Sequence, residues 1–363
     1  LYRALQYPSL LHSGSDRGVP MPRRLHLLGV PIMAALASIA IERSTPAAEP
    51  IPIKFVTDWA WEGTQASWAV AAETGCYTKA GLDVKTDRGF GSGDAIAKVA
   101  SGAYEIGVAD FSTVVNYDST HPAEKLVTVF IISDRALTSA EGMKKAGIFK
   151  PQDLNGKRIA GVQGDASRTL FPAFAKANGI DLKSIQWVTV AANLRQTAVY
   201  KGDADAVVGH LNTVVTGLHA LGVQDSEMTI MPYADYGVRL YGNAVIVKPA
   251  WAAAHAEPMR SFVKCAIAGI KASIRDPQGS IAMMRKISSM VDEQKELDAL
   301  NFSTTRAVYT DDVKKNGLSD VTPERLETAL TQISDAMGIA KPAASDVWTS
   351  AYLPPRSERM IEP

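Results

Sequence analysis

Six consecutive residues, Asp58-Trp59-Ala60-Trp61-Glu62-Gly63, place two carboxylates and two indoles in one turn of a chain that has only six tryptophans. Indole faces can sandwich a planar solute, and Asp58 can accept hydrogen bonds from an amine or amide. Either tryptophan serves equally as core packing. A second turn, Gly89-Phe90-Gly91-Ser92-Gly93-Asp94, lets the backbone approach a ligand, with Phe90 and Ser92 beside it and Ser92 or Asp94 available as a helix cap. In Ala109-Asp110-Phe111-Ser112, Asp110 reads as a ligand group or as a plain N-cap. Gln163-Gly164-Asp165-Ala166-Ser167-Arg168 offers Gln163 and Asp165, again with capping as the alternative. Gly209-His210-Leu211-Asn212 offers His210 and Asn212 as donors. All of this is chemistry of hydrogen bonding and stacking. The sequence contains no Gly-x-Ser-x-Gly elbow, no phosphate loop and no His-Glu-x-x-His, so no catalytic residue is expected. Two cysteines far apart and scattered histidines give no metal-ligand spacing, and no metal or cofactor is expected.

Each turn follows a short β-branched run and precedes a helical stretch, the pattern of an α/β fold. Strands are expected near 53–57, 82–86, 106–109 and 127–132, with helices at 66–73 and 94–100. The pattern restarts after 151–158, with strands near 159–162, 185–190, 206–208 and 244–247 and helices at 167–178, 194–201 and 213–221. Beyond 247 the chain turns mostly helical. Helices without new strands need an existing sheet to cover, so this tail is expected to return to the first lobe. Two lobes follow, 51–135 with 246–340 and 141–240, each a mixed, mainly parallel sheet flanked by helices. Two chain crossings, near 133–140 and 240–246, make a hinge, with Tyr236 and Tyr241 read as hinge or cleft-rim packing. Residues 341–363 form a C-terminal tail. Strand-end turns face such a cleft, where helix N-termini attract acceptors.

Met21-Pro22-Arg23-Arg24, an apolar run to Ile41 and the small residues to Ala48 describe a secretory signal peptide over 21–48, with residues 1–20 preceding the true start. The run is shorter than the roughly 20 apolar residues a spanning helix needs. The 363 residues carry 38 basic and 38 acidic side chains. Five arginines and two acids lie before residue 49, so the mature chain has a formal charge of −3. No basic block suggests nucleic acid as a partner. Neither cysteine stands at the cleavage point, so a soluble, unlipidated, monomeric protein of the periplasm is expected. There Cys76 and Cys265 read equally as a disulfide or as two buried thiols.

The motifs combine in a recognisable order. Asp58-Trp59, Gly75-Cys76-Tyr77 to Gly81-Leu82-Asp83-Val84, the Gly89 to Asp94 turn, Ser101-Gly102-Ala103-Tyr104-Glu105-Ile106-Gly107 to Asp110, and Asp153-Leu154-Asn155-Gly156-Lys157 resemble the periplasmic binding proteins of the nitrate/sulfonate/taurine and thiamine-pyrimidine-precursor type. The likeness runs over roughly residues 51–275. It implies a type II two-lobed binding fold that closes on a small molecule and delivers it to the permease of an ABC transporter, with ligand held around Trp59 and Asp165. Pyrimidine-precursor binders usually carry a Pro-Asn pair and then a His in the first turn, where this chain has Asp58, Trp59, Trp61 and Glu62. Its acids also disfavour a small anion such as nitrate, which leaves a planar, hydrogen-bond-donating ligand. A fungal branch of the fold, which makes the thiamine pyrimidine by sacrificing its own histidine with iron, is the alternative reading from a different class; its cysteine-rich motif is absent from this sequence. A ligand sensor for a membrane receptor would use the same physics.

Overall fold

A computed structural model describes residues 49–361; the expected signal peptide and the segment before it lie outside the described residues. The first lobe is built on β1 (Ile51–Val56), β2 (Leu82–Asp87), β3 (Ile106–Asp110) and β4 (Val127–Ile131). The chain then crosses to β5 (Thr138–Met143), β6 (Arg158–Gly161), β7 (Gln186–Thr189), β8 (Ala206–His210) and β9 (Met228–Pro232), and returns as β10 (Asn243–Val247). Strand orders are β2-β1-β3-β10-β4 and β7-β6-β8-β5-β9. In each sheet one strand, β10 or β5, runs against the other four. Each is the strand that has just arrived from the other lobe. The two crossing segments, 132–137 and 233–242, bond to each other through Ala136 N to Leu240 O and Gly242 N to Ser133 O, at 3.0 and 2.9 Å. This pairing makes the connection between the lobes a two-stranded strap.

The helices that follow the strands are α1 (Ala66–Glu73), α2 (Cys76–Lys79), α3 (Ser92–Ala100), α4 (Phe111–Thr120), α5 (Ala166–Asn178), α6 (Arg195–Lys201) and α7 (Leu211–Ala220). The tail supplies α8 (Pro249–Ala254), α9 (Ala256–Arg275), α10 (Pro277–Ile287), α11 (Glu293–Ser303), α12 (Asp311–Asn316) and α13 (Pro323–Met337). The apolar stripe of α9, including Met259, Phe262, Val263, Ala266 and Ile270, packs on the first sheet beside Phe55 and Trp68. Gly269 lets α9 lie against α1, because a Cβ there would meet Ser67 O at 2.2 Å. Not all of the tail covers the first lobe. Leu326, Ala329, Leu330 and Ile333 of α13 pack with Leu170, Phe171 and Phe174 of α5 in the second lobe, and with Phe111 and Val115 of α4 in the first. The reason is the i, i+3, i+4, i+7 spacing of that stripe, whose flat apolar face spans both helices behind the strap.

Cys76 and Cys265 form a disulfide joining α2 to α9. It closes a loop of 189 residues, so its removal frees much chain entropy in the unfolded state. Cys76→Ser with Cys265→Ser is expected to cost about 2–5 kcal/mol, read as a lower urea midpoint with an intact native spectrum.

Candidate functional site

The cleft between the lobes is lined from both sides by strand-end turns. From the first lobe come Asp58, Trp59, Glu62, Gln65, Gly91 and Ser92; from the second come Asp165, Ala166, Arg195, His210 and Thr213. β1 ends in a turn that descends into α1, and its polar groups are fixed by neighbours. Asp58 is buried, with Oδ1 accepting from Gln65 Nε2 at 3.1 Å and Oδ2 from Asn243 Nδ2 at 2.7 Å. Burial raises its pKa above the usual carboxylate range, against the pull of His210 and of the Asn243 and Gln65 bonds. The turn is anchored by the tail, since Gly63 N donates to Glu296 Oε2 of α11 at 2.7 Å. Only glycine fits there, because a Cβ would lie 2.1 Å from Glu296 O.

The lobes touch across the cleft. Glu62 accepts from Trp59 Nε1 at 3.3 Å and, from the opposite lobe, from Thr213 Oγ1 at 2.7 Å. Gly93 N donates to Gly164 O at 2.9 Å, an approach permitted by the missing side chains of Gly91 and Gly93, whose Cβ atoms would lie 3.3 and 3.1 Å from Gly164 O. Arg195, 1% exposed, pairs with Asp165 at 3.2 Å and lies over the Trp59 ring at 5.4 Å. A ring stacked on this face of Trp59 would need the place that the guanidinium holds. The free volume between these side chains is about 20 Å³. The polar walls can bind and orient a small solute; among the described residues no group of three potential metal ligands is present.

A family model described as "NMT1/THI5 like" matches residues 64–280. The chain belongs to this family. The fold of NMT1/THI5-like proteins is also that of solved binding proteins. An alkanesulfonate-binding protein SsuA from Xanthomonas axonopodis pv. citri, solved with MOPS, aligns with a TM-score of 0.64 and 14% identity, covering 85% of this chain and 99% of its own. The periplasmic nitrate-binding protein NrtA from Synechocystis PCC 6803 gives 0.63 and 9%, covering 84% and 87%. A protein from Bordetella bronchiseptica RB50 gives 0.66 and 16%, covering 83% and 95%. At these identities the likeness concerns the two-lobed periplasmic-binding-protein fold. No curated protein matches the chain by sequence.

Five of the sequence-derived candidates meet in this NMT1/THI5-like cleft: Asp58, Trp59, Ser92, Asp165 and His210. Ser92 is occupied in part, accepting from Asp110 N at 3.0 Å, and Asp165 also caps α5 through Ser167 N at 2.7 Å. The others lie elsewhere. Trp61 is half-buried against the hydrophobic core of the first lobe, so the two indoles do not form a sandwich. Phe90 is exposed, with Arg88 over its ring at 4.3 Å. Asp110 caps α4, accepting from Ser112 N and Thr113 N, with burial pushing its pKa to about 6. Gln163 opens onto a groove with Arg168 and Met337. Asn212 is buried in the first turn of α7 and its amide has no partner. Sequence reasoning missed Gln65, Arg195 and Thr213. For Arg195 one signal existed, since a cation in the first turn of a helix opposes the helix dipole and needs another reason to be there.

Proposed function

We propose that this chain is an exported solute-binding protein that captures a small, hydrogen-bond-donating organic molecule and presents it to the permease of an ABC importer without altering it. One observation carries the reading: strand-end turns from both lobes line one cleft, and their side chains bond across it, Glu62 to Thr213 and Arg195 over Trp59. A cleft whose walls bond through such contacts, joined behind by the strap and by α13 packing on α4 and α5, is suited to capture by closure. Asp58 and Glu62 supply acceptors, Trp59 an aromatic face, and their charge favours a donor or a cation over a bare anion. A planar head such as a pyrimidine or an amidine meets these conditions by displacing Arg195 from Trp59.

The test is a melting-temperature and calorimetry panel of pyrimidines, amidines, sulfonates and aromatic acids. A ligand at a hundredfold its Kd stabilises by about 2.7 kcal/mol, several degrees in Tm. Asp58→Asn is expected to weaken a confirmed ligand tenfold to a hundredfold, the worth of one charge-assisted bond. The ligand should be recovered unchanged. Its consumption, or an affinity indifferent to both Asp58→Asn and Trp59→Ala, would overturn the reading.

A further inference from the structure

A second chamber lies behind the first, on the hinge side. The two share Asp58, Thr64, Gln65 and His210 as a polar waist. Beyond the waist the wall turns apolar, formed by Trp68, Val108, Ile132, Leu137 and Val308. Its polar members are largely spent. Ser303 Oγ donates to Leu300 O at 3.0 Å and Asn243 Nδ2 to Asp58. Asn243 Oδ1, a buried acceptor without a partner, and the Ser133 hydroxyl stand among these, while the stretch formed by Trp68, Val108, Ile132, Leu137 and Val308 carries no acceptor.

The tail helix departs from regular geometry to build this wall. After α11 the chain runs as a π-helical turn over Thr304–Val308, and Arg135 N of the first crossing donates to Ala307 O at 3.3 Å. Such turns are rare and gather at functional sites. This one sets Val308 into the chamber and ties it to the strap. Free volume here is about 40 Å³, against about 20 Å³ in the first chamber. A water needs roughly 10–15 Å³, so there is room for two or three heavy atoms.

We infer that this chamber is a second ligand subsite, taking a compact apolar substituent of methyl to ethyl size carried on the donor group that Asp58 holds. The inference rests on the capture reading above. It makes Leu137 and Val308 specificity-determining residues: they admit a short alkyl group, reject a branched bulky one and leave a bare head unrewarded.

Formamidine, acetamidine, propionamidine and pivalamidine present one planar donor head with growing substituents, and their affinities for the mature chain can be measured by calorimetry. Affinity is expected to rise about fourfold per carbon up to propionamidine and to fall at pivalamidine. Leu137→Phe should erase the gain while leaving formamidine binding and Tm unchanged, and Val308→Ala should restore pivalamidine. Formamidine and propionamidine binding within twofold of each other, with dependence on Asp58 intact, overturns the subsite alone. Equal weakening of every amidine by Leu137→Phe overturns it too. Xenon-pressurised crystals separate the two readings if no amidine binds. Xenon density against Ile132, Leu137 and Val308 supports the chamber and faults the head group, and its absence overturns the chamber.

Discussion

Replacing Arg195 with methionine is expected to destabilise the fold by about 3–5 kcal/mol, a large share of the 5–15 kcal/mol typical of a domain. The methionine keeps most of the buried stem and removes only the cation. What remains is Asp165, 5% exposed, holding Ser167 N with one oxygen and nothing cationic with the other. An ion pair this deep adds little net stability over an apolar replacement, but removing one partner strands the other. Gly209 provides a second route to the same result. A Cβ there would lie 2.6 Å from the guanidinium carbon of Arg195 and 2.5 Å from Val214, so Gly209→Ala should displace Arg195 from its place over β8 while leaving the residue present. Urea unfolding at neutral pH measures both variants, and indole fluorescence reports whether Trp59 has lost its cover. A loss below 1 kcal/mol for Arg195→Met means Asp165 is solvated by another route and the pair does not organise this wall.

The first lobe was legible because its strands obey the rule that reveals strands. Ile53, Phe55 and Val56 lead to Asp58, and Ile106, Val108 and Ala109 lead to Asp110, so apolar runs ended where the turns began. β5 defeated the same reasoning. Thr-Ser-Ala-Glu-Gly-Met has no alternation and Thr138 as its one β-branched residue, yet every residue of it is buried. Its place between β8 and β9 supplies backbone partners on both sides, and tertiary pairing overrides local preference there. The cleft divides similarly. Asp58 and Asp165 were readable because strand-to-helix turns collect function. Arg195 and Thr213 lie on helices whose local pattern is ordinary, and only the packing of one lobe on the other makes them neighbours of Trp59 and Glu62. Phe90 and Trp61 stood in the right turns but point elsewhere, since spacing along a turn does not fix side-chain direction. The return of α13 to the second lobe had no local signal, because an amphipathic stripe does not say which sheet it covers.

The missed strand carries the group with the strongest expected pH effect. Glu141 of β5 is 0% exposed and neither carboxylate oxygen has a hydrogen-bond partner. Burial pushes its pKa from an ordinary 4.5 up to about 8, against the weaker pull of Ser139 and Arg195. Asp118 is pushed to about 7 and Asp110 to about 6, each mainly by burial. In all three the folded chain holds its proton more tightly than the unfolded chain does. The stability so gained is full below the ordinary carboxylate pKa and is lost as pH rises through the folded value. Unfolding free energy should therefore decline from about pH 5 to pH 8 by on the order of a few kcal/mol. Glu141→Gln, isosteric with the neutral acid, removes the largest part of that slope. The variant is expected to match the native chain near pH 5, apart from a constant offset for its own unpartnered amide, to gain on it up to about pH 8, and to level off above that. Urea midpoints at unit pH steps measure the difference. Parallel profiles would show that Glu141 is ionised and solvated throughout. The effect reaches the cleft because Arg195 is the cation facing Glu141, while Tyr233, its hydroxyl pK raised by burial and by Glu141 and Asp165, donates to Ser167 O at the base of α5. Above pH 8 an ionised Glu141 competes with Asp165 for the same guanidinium, and its hold over Trp59 should weaken in the same window.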